Sequence, residues 1–235
     1  MNPGFKIVGA WMALIANVLT LAAAAPAVAA QGATDWTEGR NYFLVTPPRA
    51  PSVPTGKVEV TEIFSYGCPA CNVFLPTMAK LKKALPPNAV VTYIPAAFNP
   101  GEDWPMFQLA YYTAQTLGVA EQTHDAMFNA VWNTGELAIE DPSTHSLKSH
   151  LPTIEDAARF YNKHAGVPVD KFLATSKSFT VDVKVRSAED HIVAYRIDRT
   201  PTIIVNGKYR LQVESAGGED QLIELVKWLV AKETK

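Results

Sequence analysis

The stretch Val58-Glu59-Val60-Thr61-Glu62-Ile63-Phe64-Ser65-Tyr66-Gly67-Cys68-Pro69-Ala70-Cys71 joins a run rich in β-branched residues to two cysteines separated by two residues. Residues 58–64 have the composition of a strand, and its even positions put Glu62 on the face shared by Val58, Val60 and Phe64. Pro69 suits the first position of a helix, where its missing N–H leaves nothing unsatisfied. The pattern predicts a helix from Pro69 to Leu85, stopped by Pro86-Pro87. Ala89-Val90-Val91-Thr92-Tyr93-Ile94 reads as a second strand, and the β-α-β order favours a right-handed crossover and parallel pairing.

Upstream, Tyr42-Phe43-Leu44-Val45 is strand-like, and Pro47, Pro48, Pro51 and Pro54 make the approach to Val58 a stiff, extended linker. Between Asn99 and about Arg199 the apolar period becomes helical. Phe107, Ala110, Tyr111, Ala114 and Leu117 mark one face, and Phe128, Val131 and Trp132 another. A third helix opens at Thr153 with Asp156 three residues on, carries Ile154, Ala157, Ala158 and Tyr161, and stops near Gly166. Pro168 to Ser176 and Ala188 to Tyr195 read as further helical pieces. The β pattern returns in Thr202-Ile203-Ile204-Val205 and Tyr209-Arg210-Leu211-Gln212-Val213, joined through the hairpin signal Asn206-Gly207. A last helix, Glu219 to Lys232, presents Leu222, Leu225, Val226 and Leu229 to the sheet. The expected class is α/β, with residues 31–98 and 199–235 forming one discontinuous domain around a helical insertion at 99–198.

The chain has 235 residues, 48% hydrophobic and 19% charged, enough to bury a core without metal or disulfide staples and unlike a disordered sequence. A formal net charge of −2 leaves no basic excess to neutralise a phosphate backbone, which argues against nucleic acid as a partner. Residues 1–30 hold Lys6, an apolar run from Ile7 to Ala25, and small residues up to Ala30, the order of a cleavable secretory signal peptide cut after Ala29 or Ala30. The apolar run could instead remain as an anchor, although its alanine-rich character weighs against this. Loss of Lys6 with the peptide takes the formal charge from −2 to −3. An exported chain lives where disulfides persist.

The two cysteines are not equivalent. Cys68 falls at a helix N-terminus, where free backbone N–H groups and the helix dipole favour a thiolate, so its pKa should lie below that of an ordinary thiol. Cys71, one turn in, should be more buried and less acidic. An attacking sulfur beside a protected one is the minimum apparatus of thiol–disulfide exchange. Glu62, on an apolar strand face, should have a raised pKa.

The Cys-Pro-x-Cys helix start, Glu62 six residues before it, the Phe64-Ser65-Tyr66 lead, the helical block and the late Thr200-Pro201 running into Val205-Asn206-Gly207-Lys208-Tyr209 together resemble the thioredoxin fold. Within it they resemble the DsbA family of periplasmic disulfide oxidoreductases, from about Tyr42 to the last helix. The resemblance implies that Pro201 is a cis-proline opposite the cysteines, and that Thr200 offers its backbone to an extended client segment. It also implies that Glu62 handles the proton of Cys71 as the mixed disulfide resolves. Tyr66 is the one further neighbour nominated for the client groove. The chain departs from the pattern at Ala70, where the best-known members carry histidine; without that ring Cys68 should be less acidic and the pair less oxidising than in those relatives.

Competing readings are weaker. A structural disulfide would close too short a loop to stabilise much. A zinc shell would need His145 and His150 to join Cys68 and Cys71 across the 73 residues between Cys71 and His145. His124, His164 and His191 have polar neighbours and read as solvated. No Gly-x-Ser-x-Gly elbow, phosphate loop or His-Glu-x-x-His occurs. The expected activity is disulfide donation to exported proteins with free cysteines by a monomeric periplasmic enzyme that needs no bound cofactor or metal. The resemblance implies reoxidation by a DsbB-like, quinone-linked membrane partner. The alternatives are an isomerase or reductase kept reduced, for which the 27 residues between Ala30 and Val58 leave no room for a dimerisation domain, and a non-catalytic chaperone or metal-binding module.

Overall fold

The computed structural model describes residues 35–234 together with Met1 and Gly4. The segment read as a signal peptide therefore lies outside the described residues, apart from those two. The chain separates into Met1–Asp35 and Trp36–Lys235, and the architecture is that of the second unit.

Its elements follow in the order β1 (Phe43–Leu44), β2 (Val58–Phe64), α1 (Pro69–Ala84), β3 (Ala89–Pro95), α2 (Trp104–Thr116), α3 (Ala120–Trp132), α4 (Ile154–Ala165), α5 (Val169–Ser176), α6 (Phe179–Ala194), β4 (Thr202–Val205), β5 (Tyr209–Leu211), α7 (Val213–Ala216) and α8 (Glu219–Glu233). The five strands form one sheet in the order β1-β5-β4-β2-β3. β2 and β3 pair in parallel across the α1 crossover, with Glu62 in register with Tyr93; the other pairs are antiparallel.

All seven residues of β2 are buried, so its polar side chains need partners. Thr61 meets Thr92 at 2.9 Å, and Glu59 accepts from the Ser52 backbone at 3.2 Å and from the Thr92 hydroxyl at 3.1 Å. The proline-rich segment is consequently no free linker. The backbone N–H of Arg49 donates to Gly207 at 3.0 Å, and Ser52 is tied to Glu59. Glycine is required at 207, because φ is +64° and a Cβ there would stand 2.1 Å from the Arg49 carbonyl oxygen. With Asn206 also at φ 53°, the hairpin turn has both central residues left-handed, as its strand twist demands.

α1 buries Cys71, Phe74, Thr77, Met78 and Leu81, and Lys82 and Lys83 complement the dipole at its C-terminal end. Met78 and Leu81 pack with Val58, Val60, Ile203 and the α8 residues Leu222, Leu225, Val226 and Leu229, each large side chain contributing about 1.5–3 kcal/mol. A second cluster joins Phe64, Tyr66 and Cys71 to Phe107, Tyr111, Met127, Phe128, Phe160, Tyr161 and Phe172 of the helices between β3 and β4. The cysteines thus stand where strand and helical cores meet. α4 has the capping box of Thr153 and Asp156 and ends on Gly166 at φ +68°.

Two boundaries differ from the sequence reading by more than one residue. α6 starts at Phe179, capped by Ser178, well before Ala188, because only Val181 and Ala188 on it are fully buried and the apolar period is weak. β5 ends at Leu211, and Val213 opens α7, whose box is closed by Gln212 and Ser215.

Candidate active site

Cys68 is the N-cap of α1, in extended conformation, with Pro69 next. Its sulfur accepts from the Cys71 backbone N–H at 3.4 Å and lies 3.6 Å from the Thr200 carbonyl oxygen. Thr200–Pro201 is a cis peptide, and the Thr200 contact brings the loop before β4 to the start of α1. Both cysteines are free thiols, Cys71 wholly buried and Cys68 nearly so, while Pro69 and Ala70 between them are exposed. Hydrogen bonding from Cys71 is the main cause that draws the Cys68 thiol from 9.0 down to about 6; burial opposes it, and Thr200 and the N–H groups of Cys71 and Ala70 assist. Burial, with the neighbouring Cys68, pushes the Cys71 thiol up.

Glu62 is 2% exposed, and its Oε2 has no hydrogen-bond partner among the described residues. Burial raises its carboxyl to about 8; Lys82 pulls back, and Cys68 and Asp125 push further. Glu62 in turn raises Cys71. A buried acid protonated near neutrality and a buried thiol therefore lie within electrostatic reach of each other, beside an acidic outer thiol.

The turn from β2 to α1 is held by the helical block. Trp132 donates its indole N–H to the Tyr66 carbonyl at 2.8 Å, and the Cys68 N–H donates to the Ser65 carbonyl at 3.1 Å. A Cβ at Gly67 would stand 2.8 Å from the Trp104 ring and 3.1 Å from the Glu102 carbonyl. Trp104 packs against Phe98, which is 45% exposed, with ring centroids 4.9 Å apart. Sequence reasoning missed Trp104 and placed Trp132 only on a helical face, not at the site; the glycine beside Cys68 was the signal that something large approaches there.

Two expectations are corrected. Tyr66 is fully buried, its ring among Phe64, Phe107 and Phe128 and its hydroxyl 3.0 Å from His124 Nδ1, so it offers no surface to a client. His124 is not solvated: it is 5% exposed, and burial holds its imidazole down to about 3. Its place four residues before Phe128, on the same helical stripe, could have revealed this. His145 and His150 are exposed, and no group of three or more His, Cys, Asp or Glu suited to a metal gathers among the described residues.

A cysteine pair at a strand-to-helix turn, faced by a cis-proline loop on a β-α-β and β-hairpin sheet with helices inserted between, defines a dithiol protein of the thioredoxin fold. A family profile described as Thioredoxin matches residues 53–227. The thiol:disulfide interchange protein DsbA of Pseudomonas aeruginosa is 34% identical over 220 residues, covering 94% of this chain and 96% of that one, and the DsbA of Bordetella pertussis is 33% identical over 195 residues, covering 83% and 82%. The crystal structure of the P. aeruginosa DsbA superposes with a TM-score of 0.70 at 34% identity over 85% of this chain and 95% of that one. That of the oxidoreductase DsbA from Xylella fastidiosa gives 0.70 at 30% identity over 82% and 95%. The chain belongs to the DsbA family of thiol:disulfide interchange proteins and is a thiol:disulfide oxidoreductase.

Proposed function

We propose that this oxidoreductase donates disulfides to exported proteins in the periplasm, reached through a cleaved N-terminal signal peptide at 1–30. The observation that carries the reading is the unequal placement of the pair: Cys68 caps α1 and accepts the Cys71 backbone N–H, whereas Cys71 is wholly buried, which draws the Cys68 thiol down to about 6 and pushes that of Cys71 up. A thiolate stabilised in the dithiol form makes the disulfide form a good oxidant. A client thiolate attacks the Cys68 sulfur of the enzyme disulfide; the Cys68–Cys71 bond breaks, and Cys71 leaves with the electron pair and takes the proton of Glu62. A second client thiolate then attacks the client sulfur bound to Cys68, forming the client disulfide and releasing Cys68 as thiolate.

Thr200 lends its backbone to the client segment, and Pro201, which has no N–H, leaves that backbone free of a competing donor. Pro69, Ala70 and Val73, exposed along α1, and Phe98 offer the apolar surface for the client. Residues 31–98 with 199–235 act as the redox domain and 99–198 as the helical insertion that clamps its turn. Two electrons per cycle leave through a DsbB-like, quinone-linked membrane partner.

The test is the equilibrium potential of the Cys68–Cys71 pair against graded glutathione buffers. A pair clearly more oxidising than glutathione is expected; one as reducing as a cytosolic thioredoxin would refute the donor reading.

A further inference from the structure

β3 is an edge of the sheet, paired with β2 alone. The Asn88 carbonyl accepts from the Val58 N–H at 2.9 Å and the Ala96 N–H donates to the Phe64 carbonyl at 2.7 Å, and these two bonds fix the alternation between them. In a parallel ladder every second residue engages both backbone groups with its neighbour, so Val90, Thr92 and Ile94 face β2 and the odd residues face outward. Two outward groups are already bonded: the Ala89 N–H donates to the Pro86 carbonyl at 2.9 Å, and buried Gln108 donates its amide to the Pro95 carbonyl at 2.9 Å. The Ala89 carbonyl and both backbone groups of Val91 and Tyr93 have no partner among the described residues. These groups belong to one wall of a cavity of about 730 Å³, with residues 89–93 of β3 on one side and Glu121, His124 and Asp125 of α3 on the other.

β3 carries no charged side chain, proline enters only at its last residue, and an open, uncharged edge is what sheets otherwise cover or block. The free groups of Val91 and Tyr93 are two residues apart, about 6.6 Å along the strand, which is the repeat at which another strand presents its own N–H and C=O. Across the cavity Glu121 and Asp125 stand one helical turn apart, exposed, and neither joins an ion pair among the described residues. The buried Nε2 of His124, on the same wall, also has no hydrogen-bond partner there. We propose that this edge is a second docking site for clients, which takes an unfolded client segment as a sixth strand and sets a lysine or arginine of that segment against Glu121 and Asp125. This rests on the reading of the protein as one that acts on unfolded exported chains. Only such a chain brings an extended backbone with its own N–H and C=O groups unpaired, and main-chain bonds of this kind hold segments of many sequences. The basic residue matches the two carboxylates, which outnumber the single ammonium of Lys82 at this cavity.

The experiment follows backbone amide exchange by NMR in the reduced full chain with a cysteine-free peptide of alternating valine and threonine carrying two central lysines, and with the same peptide carrying glutamates instead. Exchange at Val91 and Tyr93 should slow by about tenfold with the lysine peptide and stay unchanged with the glutamate peptide. Glu121→Gln combined with Asp125→Asn, which leaves the strand untouched, should remove the protection. No protection, equal protection by both peptides, or protection that grows with protein concentration in the absence of peptide, which would make a second copy the occupant, overturns the proposal. The double variant should also raise KM for a reduced, unfolded, lysine-rich protein while oxidation of a short two-cysteine peptide stays at the wild-type rate; an unmoved KM overturns the assignment to clients. Because the binding peptide has no cysteine, its result is read separately from the potential that tests disulfide donation.

Discussion

The backbone N–H of Cys71 donates to the Cys68 sulfur at 3.4 Å, so the nucleophile is also the cap of the helix that acidifies it. Redox chemistry and fold stability are therefore linked through one proton. With the folded pKa near 6 against 9.0, the Cys68 thiolate contributes stability that is full above pH 9 and fades as pH falls through 6. Its ceiling is about 4 kcal/mol. Urea unfolding of the reduced protein should show its advantage over Cys68→Ser growing with pH across this window, since serine still caps the helix without ionising there; parallel curves would refute the linkage.

Ala70 leaves the thiolate without a ring donor between the cysteines. Substituting Ala70→His should lower the Cys68 pKa and make the pair more oxidising. Thiolate ultraviolet absorbance against pH, with the glutathione equilibrium, measures both; an unchanged titration removes the explanation.

Glu62 titrates in the opposite sense for stability. Its folded pKa is raised from 4.5 to about 8, so its contribution is complete below 4.5 and is lost as pH rises through 8. Keeping it protonated at pH 7 costs about 3 kcal/mol. Glu62→Gln should therefore be more stable than wild type by about that amount at pH 7, with the gap closing toward pH 4, while disulfide exchange slows. A variant less stable at every pH would contradict this account.

Gly67 has no room for a side chain. Gly67→Ala would push against the Trp104 ring and the Glu102 carbonyl and should destabilise by about 1–3 kcal/mol. The shift should also slow exchange, because the same turn carries Cys68; thermal unfolding and mixed-disulfide kinetics read the two effects separately. Trp104→Phe in the Gly67→Ala background should recover part of the loss, and a fully stable single variant would refute the contact.

The buried His124 makes the fold acid-sensitive. With a folded pKa of about 3 against 6.5, the neutral ring supports stability that is full above 6.5 and is lost as pH falls through 3. His124→Phe should flatten that part of the acid profile, yet lose about 1–3 kcal/mol at neutral pH by stranding the Tyr66 hydroxyl. Adding Tyr66→Phe should restore most of the neutral loss, as measured in a double-mutant cycle.

The strand at 58–64, the helix starts at Pro69 and Thr153, the Asn206-Gly207 turn and the closing helix could all be read from the chain. Each is fixed by neighbours within a few residues: a proline ring, a side-chain cap, a left-handed turn, an apolar period. The same local rules placed Cys68 at a helix N-terminus and so foretold which sulfur is acidic. They failed at α6, where few positions are buried, and at Tyr66 and His124, because burial depends on which helices close over a residue.

What the sequence determined by itself is the class of chemistry, two sulfurs made unlike by their places on one helix. Tertiary structure alone decided what surrounds them. The Thr200 carbonyl reaches Cys68 from 132 residues away, Trp132 and Trp104 clamp the turn from the helical block, and Lys82 leans over the strand partner of Glu62. Such contacts arise from packing between elements far apart in the chain, and no periodicity or cap encodes them.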